Sequence, residues 1–313
     1  MDKLILAAPR GFCAGVAYAI EVVELALKVH GPPLYVRHAI VHNEHVVKSF
    51  ESRGVIFVED VSDIPEASTV VFSAHGVSPS VRDQATERKL KVIDATCPLV
   101  TKVHREAVRY ASRGYHILYI GHRGHVEAAG TMGEAPRQMT LVDNVAEAEA
   151  VSVPEGPLSV LTQTTLSVDE VNEIMGVLKR RFPHLETPQK EDICYATTNR
   201  QHAVKELAQI CDLILVVGSK TSSNSNRLRE VAEACGKPAY LLLEPEQLDE
   251  SWKTQFATVG VTSGASTPEE LVQAIVGSLL EANSNATLEV LTTVDEDVTF
   301  IPPRDLIQLA QAR

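Results

Sequence analysis

Short apolar runs recur along this 313-residue chain, and many are followed by a small or polar turn and then by a segment of helical period. This alternation is typical of β-α-β units, in which helices cover both faces of a parallel sheet. The clearest candidate strands are LILAA, LYVRHAIV, VIFV, TVVFSA, KVIDA, HILYIG, LSVLTQ, LILVVG, AYLLL and TVGVTS. The clearest candidate helices span residues 16–30, 101–113, 168–182, 199–211, 226–235 and 268–282. The sequence therefore predicts the α/β fold class with parallel sheets.

Composition and charge exclude several function classes. A chain of this length is expected to hold two or three compact units. The net charge of −12 argues against binding to nucleic acid, which depends on Lys and Arg. The apolar run in MDKLILAAPR is too short for a signal peptide, and no stretch is long enough for a membrane span. We therefore expect a cytoplasmic protein without a membrane partner, in which thiols stay reduced.

Three of the five cysteines fall near the start of a predicted helix, in GFCAG (Cys13), DATCP (Cys97) and DICY (Cys194). Their separations of 84 and 97 residues match one small α/β unit each, which predicts three related units over residues 1–96, 97–193 and 194–313. A helix N-terminus favours the thiolate, so each cysteine is a candidate metal ligand or nucleophile. None has the nearby partner cysteine of a zinc ribbon or a bacterial ferredoxin. Cys211 and Cys235 have apolar neighbours, and we expect them to be inert.

Polar residues follow many of the predicted strands, at the sheet edge where open α/β sheets bind ligands. They are His42, His75, His122, His125, Glu127, Thr164, Thr165, Ser222, Ser223, Asn224 and Ser266. Imidazoles, hydroxyls and amides before a helix can hold an anion such as phosphate or diphosphate. Neither a Walker motif nor GxGxxG is present, so the sequence lacks the usual marker of a nucleotide site. Glu127 follows His125 by two residues, and in a sheltered pocket such an acid can donate a proton.

Nine motifs, in order from Leu4 to Leu280, carry a resemblance to a known family. They are RGFCAGV, VRHAIVHN, FSAHGVS, DATCPLVTKVH, GHRGHVE, TQTTLS, EDICYATTNRQ, VVGSKTSSNSNRL and GVTSGAS. Together these motifs resemble those of the 4-hydroxy-3-methylbut-2-enyl diphosphate reductases, the IspH or LytB family. The resemblance implies an iron–sulfur oxidoreductase with three pseudo-symmetric α/β units in a trefoil arrangement around a central [4Fe-4S] cluster.

Carried onto this chain, the resemblance makes Cys13, Cys97 and Cys194 the cluster ligands. Three thiolates on four irons leave one iron without a protein ligand, and that iron can act as a Lewis acid on the substrate hydroxyl. The implied reaction removes that hydroxyl from the allylic diphosphate as water, giving isopentenyl and dimethylallyl diphosphates, the last step of the non-mevalonate (MEP) pathway.

The resemblance also implies a role for each polar group. Glu127 would supply protons and Thr164 would relay or orient them, with His125 beside the acid. The diphosphate would be held by His42, His75, Ser222, Ser223, Asn224 and Ser266. Because the chain has no flavin or nicotinamide fingerprint, electrons must come from outside, and the resemblance implies a ferredoxin or flavodoxin as their donor.

Two other functions are compatible with parts of this pattern. The chain could hold a cluster as a sensor or regulator, although this would not explain the many anion-holding groups. Alternatively, one cysteine could be the nucleophile of a hydrolase or transferase, with His and Glu as helpers. Iron content and diphosphate binding distinguish these hypotheses from the reductase.

Overall fold

The computed structural model describes residues 1–312. The strands are β1 (Lys3–Ala8), β2 (Leu34–Arg37), β3 (Val55–Val58), β4 (Thr69–Phe72), β5 (Lys91–Asp94), β6 (His116–Ile120), β7 (Met139–Val142), β8 (Leu158–Thr162), β9 (Leu213–Val217), β10 (Ala239–Leu242), β11 (Thr258–Ser263) and β12 (Thr287–Thr292). The helices are α1 (Ala14–His30), α2 (Glu44–Glu51), α3 (Pro79–Glu87), α4 (Pro98–Ser112), α5 (Val126–Met132), α6 (Val145–Ala150), α7 (Val168–Arg181), α8 (Tyr195–Ile210), α9 (Ser223–Ala234), α10 (Glu250–Thr254), α11 (Glu269–Ala282) and α12 (Arg304–Gln311). Within this part of the chain, no helix has the length and apolar character to span a membrane.

The strands form three sheets, and every pair of neighbouring strands is parallel. Their orders are β10-β9-β11-β1-β12, β3-β2-β4-β5 and β7-β6-β8. Parallel neighbours need a crossover connection, and helices supply most of these crossovers here. The predicted α/β class with parallel sheets is confirmed.

One compact unit contains the five-stranded sheet and consists of residues 1–14, 42–46 and 195–298. Side chains of β1 alternate between its two faces, as the period of a strand requires. Leu4 and Leu6 pack with residues of α11, and Ile5 and Ala7 pack with residues of α8 and α9. This sheet is therefore covered by apolar side chains on both faces, which explains why β1, β9 and β11 read as continuous apolar runs.

The second compact unit contains the other two sheets and consists of residues 15–41, 47–194 and 299–312. The four-stranded sheet packs β4 against α3, and its core includes Phe72 and Ala85. The three-stranded sheet also has a core on each face: Leu118 and Ile120 lie in one cluster with α7, and Ile117 and Tyr119 lie in another with α4.

The sheets do not follow contiguous thirds of the chain. Strand β1 pairs with β11 and β12, which lie more than 250 residues later. The first strand is thus separated from the four-stranded sheet formed by β2 to β5. The three units predicted over residues 1–96, 97–193 and 194–313 stay a prediction.

Candidate functional site

Cys13, Cys97 and Cys194 each stand directly before the first residue of a helix. These helices are α1, α4 and α8. All three cysteines are half-buried, and Cys97 is the N-cap of α4, with Pro98 at the first helical position. The helix dipole and the unpaired amides of the first turn favour a thiolate at such a position. The three thiols therefore have the local setting expected of metal ligands or nucleophiles.

The backbone holds these cysteines in the same way in all three sheets. In each case the cysteine N–H donates to a carbonyl oxygen: Cys13 to Ala265 at 3.1 Å, Cys97 to Ala74 at 3.0 Å, and Cys194 to Thr164 at 3.0 Å. Each acceptor lies two residues beyond the end of a strand, namely β11, β4 or β8, and each of these strands belongs to a different sheet. The three cysteines therefore occupy equivalent positions, one for each sheet.

The remaining two cysteines have different surroundings. Cys211 is fully buried in the apolar core between α8 and the five-stranded sheet, and this burial raises the pKa of its thiol to about 12. Cys235 caps the C-terminal end of α9 and is exposed. The predicted apolar environment is confirmed for Cys211, which packs as a small hydrophobe.

Four predicted anion-binding residues meet in the first unit, and we call them the hydroxyl–amide cluster: His42, Ser222, Asn224 and Ser266. The Ser266 hydroxyl donates to the backbone oxygen of His42 at 3.1 Å, and its oxygen lies 3.4 Å from that of the Ser222 hydroxyl. The Asn224 side-chain oxygen accepts from the Ala265 N–H at 2.8 Å, and Ala265 is the residue that also accepts from Cys13. Hydroxyls and an amide thus lie beside the loop that carries one cysteine.

Helix α9 gives this cluster its electrostatic character. Ser222 is its N-cap and accepts from the Ser225 N–H at 3.3 Å, while Ser223 and Asn224 form its first turn. The Asn226 side chain holds the preceding loop by donating to the Lys220 and Ser222 carbonyl oxygens, both at 2.8 Å. The N-terminus of a helix with small hydroxyl side chains is suited to an anionic group.

The other predicted residues meet in the second unit around a buried carboxyl group. The Glu127 side chain accepts from the Thr164 N–H at 2.7 Å and from the Thr164 hydroxyl at 3.0 Å. Glu127 is only 2% exposed. Burial raises the pKa of Glu127 to about 7, although both bonds from Thr164 act in the opposite direction. A large fraction of this carboxyl group is therefore protonated at neutral pH.

Two histidines lie beside this acid. His125 is the N-cap of α5, and its Nδ1 accepts from the Glu127 N–H at 3.2 Å, which leaves Nε2 as the protonated nitrogen of the neutral ring. The rings of His75 and His125 meet edge to face, with 6.1 Å between their centroids. We call His75, His125, Glu127 and Thr164 the acid cluster. His122, which the sequence grouped with these residues, instead lies with its Nδ1 3.0 Å from an oxygen of Asp143.

Asp192 is a buried carboxylate that was not singled out from the sequence. It accepts from the Lys102 ammonium at 2.9 Å and from the Thr162 N–H at 3.0 Å. Lys102 lies on α4, which begins after Cys97, and Asp192 lies two residues before Cys194. This ion pair therefore joins the segments that carry two cysteines. In the sequence, the only signal for Asp192 was its place in the motif EDICYATTNRQ.

Arg200 is a second functional candidate that the sequence analysis missed. Its side chain is fully buried on α8 and forms an ion pair with Glu296, with Nη1 2.9 Å from Oε1. The same guanidinium donates to the Ala196 carbonyl oxygen at 3.0 Å and to the Gly11 carbonyl oxygen at 2.8 Å. Arg200 thus fixes the start of α8 and the loop before Cys13 to the segment that follows β12.

Comparison with known proteins places this geometry in a family. The model of the family described as "LytB protein" matches residues 4–280. The chain belongs to the LytB family. Membership in the LytB family implies an iron–sulfur cofactor, and three equivalent half-buried cysteines at helix starts fit that group in donor type and number. Within residues 1–312, no three His, Cys, Asp or Glu side chains are grouped around the position of a single metal ion.

Individual members of the LytB family cover nearly the whole chain. The "4-hydroxy-3-methylbut-2-enyl diphosphate reductase 2" of Burkholderia mallei is 51% identical over 305 residues, which are 97% of this chain and 93% of the relative. The solved structure of the "E-1-hydroxy-2-methyl-but-2-enyl-4-diphosphate reductase" from Plasmodium falciparum is 42% identical, with a TM-score of 0.96 over 99% of this chain and 98% of that chain. A second solved structure has a TM-score of 0.65 at 28% identity, over 90% of this chain and all of that chain, and is named "(E)-4-Hydroxy-3-methyl-but-2-enyl Diphosphate Reductase, the Terminal Enzyme of the Non-Mevalonate Pathway".

Proposed function

We propose that the chain is an oxidoreductase that converts 4-hydroxy-3-methylbut-2-enyl diphosphate to isopentenyl and dimethylallyl diphosphates, the last step of the non-mevalonate pathway. The names of its relatives in the LytB family support this substrate and reaction. The observation that carries the proposal is the repeated arrangement of Cys13, Cys97 and Cys194, each bonded to a strand-end loop that holds or adjoins a member of the polar clusters. We also propose that the protein is cytoplasmic.

In this proposal the three cysteines hold a [4Fe-4S] cluster. When bound, the cluster would pass on two electrons, received one at a time from the external donor, and would offer an iron without a protein ligand to the substrate hydroxyl. Each cysteine stands beside the unpaired backbone N–H groups of a helix start, a setting that suits a thiolate ligand. Asp192 and Arg200 hold the backbone around these positions through their bonds to Lys102 and Gly11.

Glu127 acts as the proton donor. Removal of the hydroxyl as water needs two electrons and two protons, one for the departing oxygen and one for the allylic carbon. A carboxyl group with a pKa of about 7 carries a proton at neutral pH and can also release it. Thr164 orients this group because its N–H and hydroxyl each hold one carboxyl oxygen. His125 lies beside this acid, and its Nδ1 accepts from the Glu127 N–H at 3.2 Å.

The polar side chains outside the acid bind the diphosphate. Hydroxyl and amide donors would come from Ser222, Ser223, Asn224 and Ser266, and imidazole donors from His42, His75 and His125. The α9 N-terminus adds backbone amides and a positive dipole end. The electron donor would be a ferredoxin or flavodoxin.

Turnover of the diphosphate substrate tests the proposal. We expect anaerobically purified protein to convert 4-hydroxy-3-methylbut-2-enyl diphosphate when a reduced viologen dye supplies electrons. Glu127→Gln should keep its iron but lose turnover by about 100-fold or more, because the amide cannot donate the acid proton. Glu147→Gln, which changes a surface carboxylate on α6, serves as the matched control and should retain the wild-type rate.

Two results would contradict the proposal in different ways. Iron-containing protein that neither binds nor reduces the diphosphate would favour the sensor hypothesis. Activity that survives complete removal of iron would favour a cysteine nucleophile. Undiminished turnover of Glu127→Gln would remove Glu127 from the acid role.

A further inference from the structure

We propose that His104, together with Glu134, is a positioning residue that fixes the acid cluster, an inference that rests on the proposed function of that cluster. His104 lies on α4, seven residues after Cys97, and is 5% exposed. Its Nδ1 and the Glu134 Oε1 are 2.7 Å apart. Glu134 follows α5, the helix that begins at the His125 N-cap and carries Glu127 in its first turn. One buried pair therefore joins the helix that follows Cys97 to the helix of the acid.

The other side of the His104 ring packs on the loop that carries His75. A Cβ atom at Gly76 would lie 2.8 Å from the His104 Nε2 and 3.2 Å from its Cε1. Gly76 also has a φ of +79°, which disfavours any larger residue. The imidazole therefore sits directly against the backbone of the residue after His75. In the described part of the chain, Nε2 is buried without a hydrogen-bond partner, so this side of the ring acts through packing.

Helix α5 approaches the same loop closely. A Cβ atom at Gly130 would lie 3.2 Å from the Gly76 carbonyl oxygen and 3.5 Å from the His104 Cε1, and one at Gly133 would overlap with the Ser78 side chain. The loop, α4 and α5 thus meet with little space between them. His104, on the helix that follows Cys97, therefore contacts both the loop that carries His75 and the helix that carries Glu127.

The chemistry of the pair favours positioning over simple core filling. The His104 and Glu134 side chains are 7% and 10% exposed, and an apolar pair of similar volume would avoid their desolvation cost. A short hydrogen bond from an imidazole fixes direction as well as distance, which an apolar contact does not. The pair therefore sets the position of α5 relative to the His75 loop. Because the reacting groups must be placed to a fraction of an ångström, its loss should reduce turnover without removing any group that touches substrate.

The test uses His104→Leu, which removes the bond while keeping an apolar side chain in the space. We expect its kcat to fall by about tenfold to a hundredfold, since small misplacements of reacting groups have effects of that size. Amide hydrogen exchange in residues 126–133 should become faster, because α5 loses its fixed end. Iron content should stay at the wild-type level.

His116→Leu is the matched control. His116 begins β6 in the same unit and has its Nε2 2.8 Å from the Thr140 hydroxyl, so its loss also removes one half-buried histidine bond. This variant should leave kcat and the exchange of residues 126–133 unchanged. His104→Asn places an amide N–H where Nδ1 stood, and we expect it to recover part of the kcat and exchange protection that His104→Leu loses.

Two outcomes would overturn the inference. One is a His104→Leu protein that matches His116→Leu in both kcat and local exchange. The other applies if His104→Leu does not fold. Glu134→Gln and His104→Asn are then compared with the wild-type protein, and both should differ from it in the exchange of residues 126–133. Wild-type exchange in both variants would refute the positioning role. Because exchange is measured without substrate, failure of the wild-type protein to turn over the diphosphate would refute the proposed function and leave this test standing.

Discussion

The buried acid makes a prediction about stability that does not depend on turnover. In the folded chain, burial raises the pKa of Glu127 to about 7, from the usual 4.5 of an unperturbed glutamate. Between these two values the folded chain holds the proton and the unfolded chain releases it. The free energy of unfolding should therefore fall by about 1.4 kcal/mol for each pH unit in this window. The contribution is fully present below about pH 4.5 and is lost as the pH rises through about 7.

Replacing Glu127 with Gln removes this titration. The full effect of the shift amounts to about 3 kcal/mol, of which about 2 kcal/mol falls between pH 5.5 and pH 8.5. Over that range the wild-type protein should lose about 2 kcal/mol more stability than Glu127→Gln. The altered bonds to Thr164 change the free energy of unfolding of Glu127→Gln by an amount that does not depend on pH. This difference cancels because only the change in stability with pH is compared.

Urea unfolding of both proteins in the same cluster state, at several pH values, measures this difference. Glu289→Gln is the control for removal of one negative charge, since Glu289 is an exposed carboxylate paired with Lys3. Its pH dependence should follow that of the wild-type protein. Parallel curves of unfolding free energy against pH for wild type and Glu127→Gln would show that the pKa of Glu127 is not raised. The Glu127 carboxyl group would then not be protonated at neutral pH.

Three further predictions follow from the bonds and burial of single side chains. Thr164→Val removes the hydroxyl bond that opposes the rise in the pKa of Glu127, so the fall in kcat with increasing pH should move to higher pH; a fall at unchanged or lower pH would contradict this bond's role. Glu296→Ala leaves the buried Arg200 guanidinium without its carboxylate and should lower the free energy of unfolding in urea by about 3 kcal/mol. A loss of stability near zero would show that the pair contributes little. Cys211, whose pKa burial raises to about 12, should react with a thiol reagent only after the chain unfolds, as peptide mass spectrometry would reveal; rapid labelling of folded protein would contradict its burial.

The six helices that were singled out from the sequence are all present, but several of their N-termini were misplaced. Apolar periodicity placed the start of the helix after Cys97 at Thr101 and that of the helix after Cys194 at Asn199, whereas α4 begins at Pro98 and α8 at Tyr195. The physical reason is that the first turn of each helix carries the site, so its side chains are chosen for chemistry and the apolar stripe begins one turn later. Strands β7 and β12 were missed because β12 is largely exposed and β7 is only half-buried, so neither forms a continuous apolar run.

The candidate site was predictable where its groups follow strands. Parallel strands bring their carboxyl ends to one edge, and this rule found Glu127, Thr164 and the Ser222 loop. It did not find Asp192, His104 or Arg200. Their partners lie far away in sequence: Glu296 is 96 residues from Arg200, and Asp192 is 90 residues from Lys102. Periodicity carries no signal for such pairs, and a motif that contains one member, as EDICYATTNRQ contains Asp192, does not show its partner.

Iron and sulfide counting on anaerobically purified protein with single cysteine substitutions decides whether the three cysteines hold one cluster. We predict about four iron and four sulfide atoms for each wild-type chain, and the same for Cys211→Ser and Cys235→Ser. Serine at position 13, 97 or 194 should remove most of the iron and the visible absorbance of the cluster. Wild-type iron content in any one of these three variants would contradict the claim that three equivalent cysteines, one for each sheet, hold a single cluster.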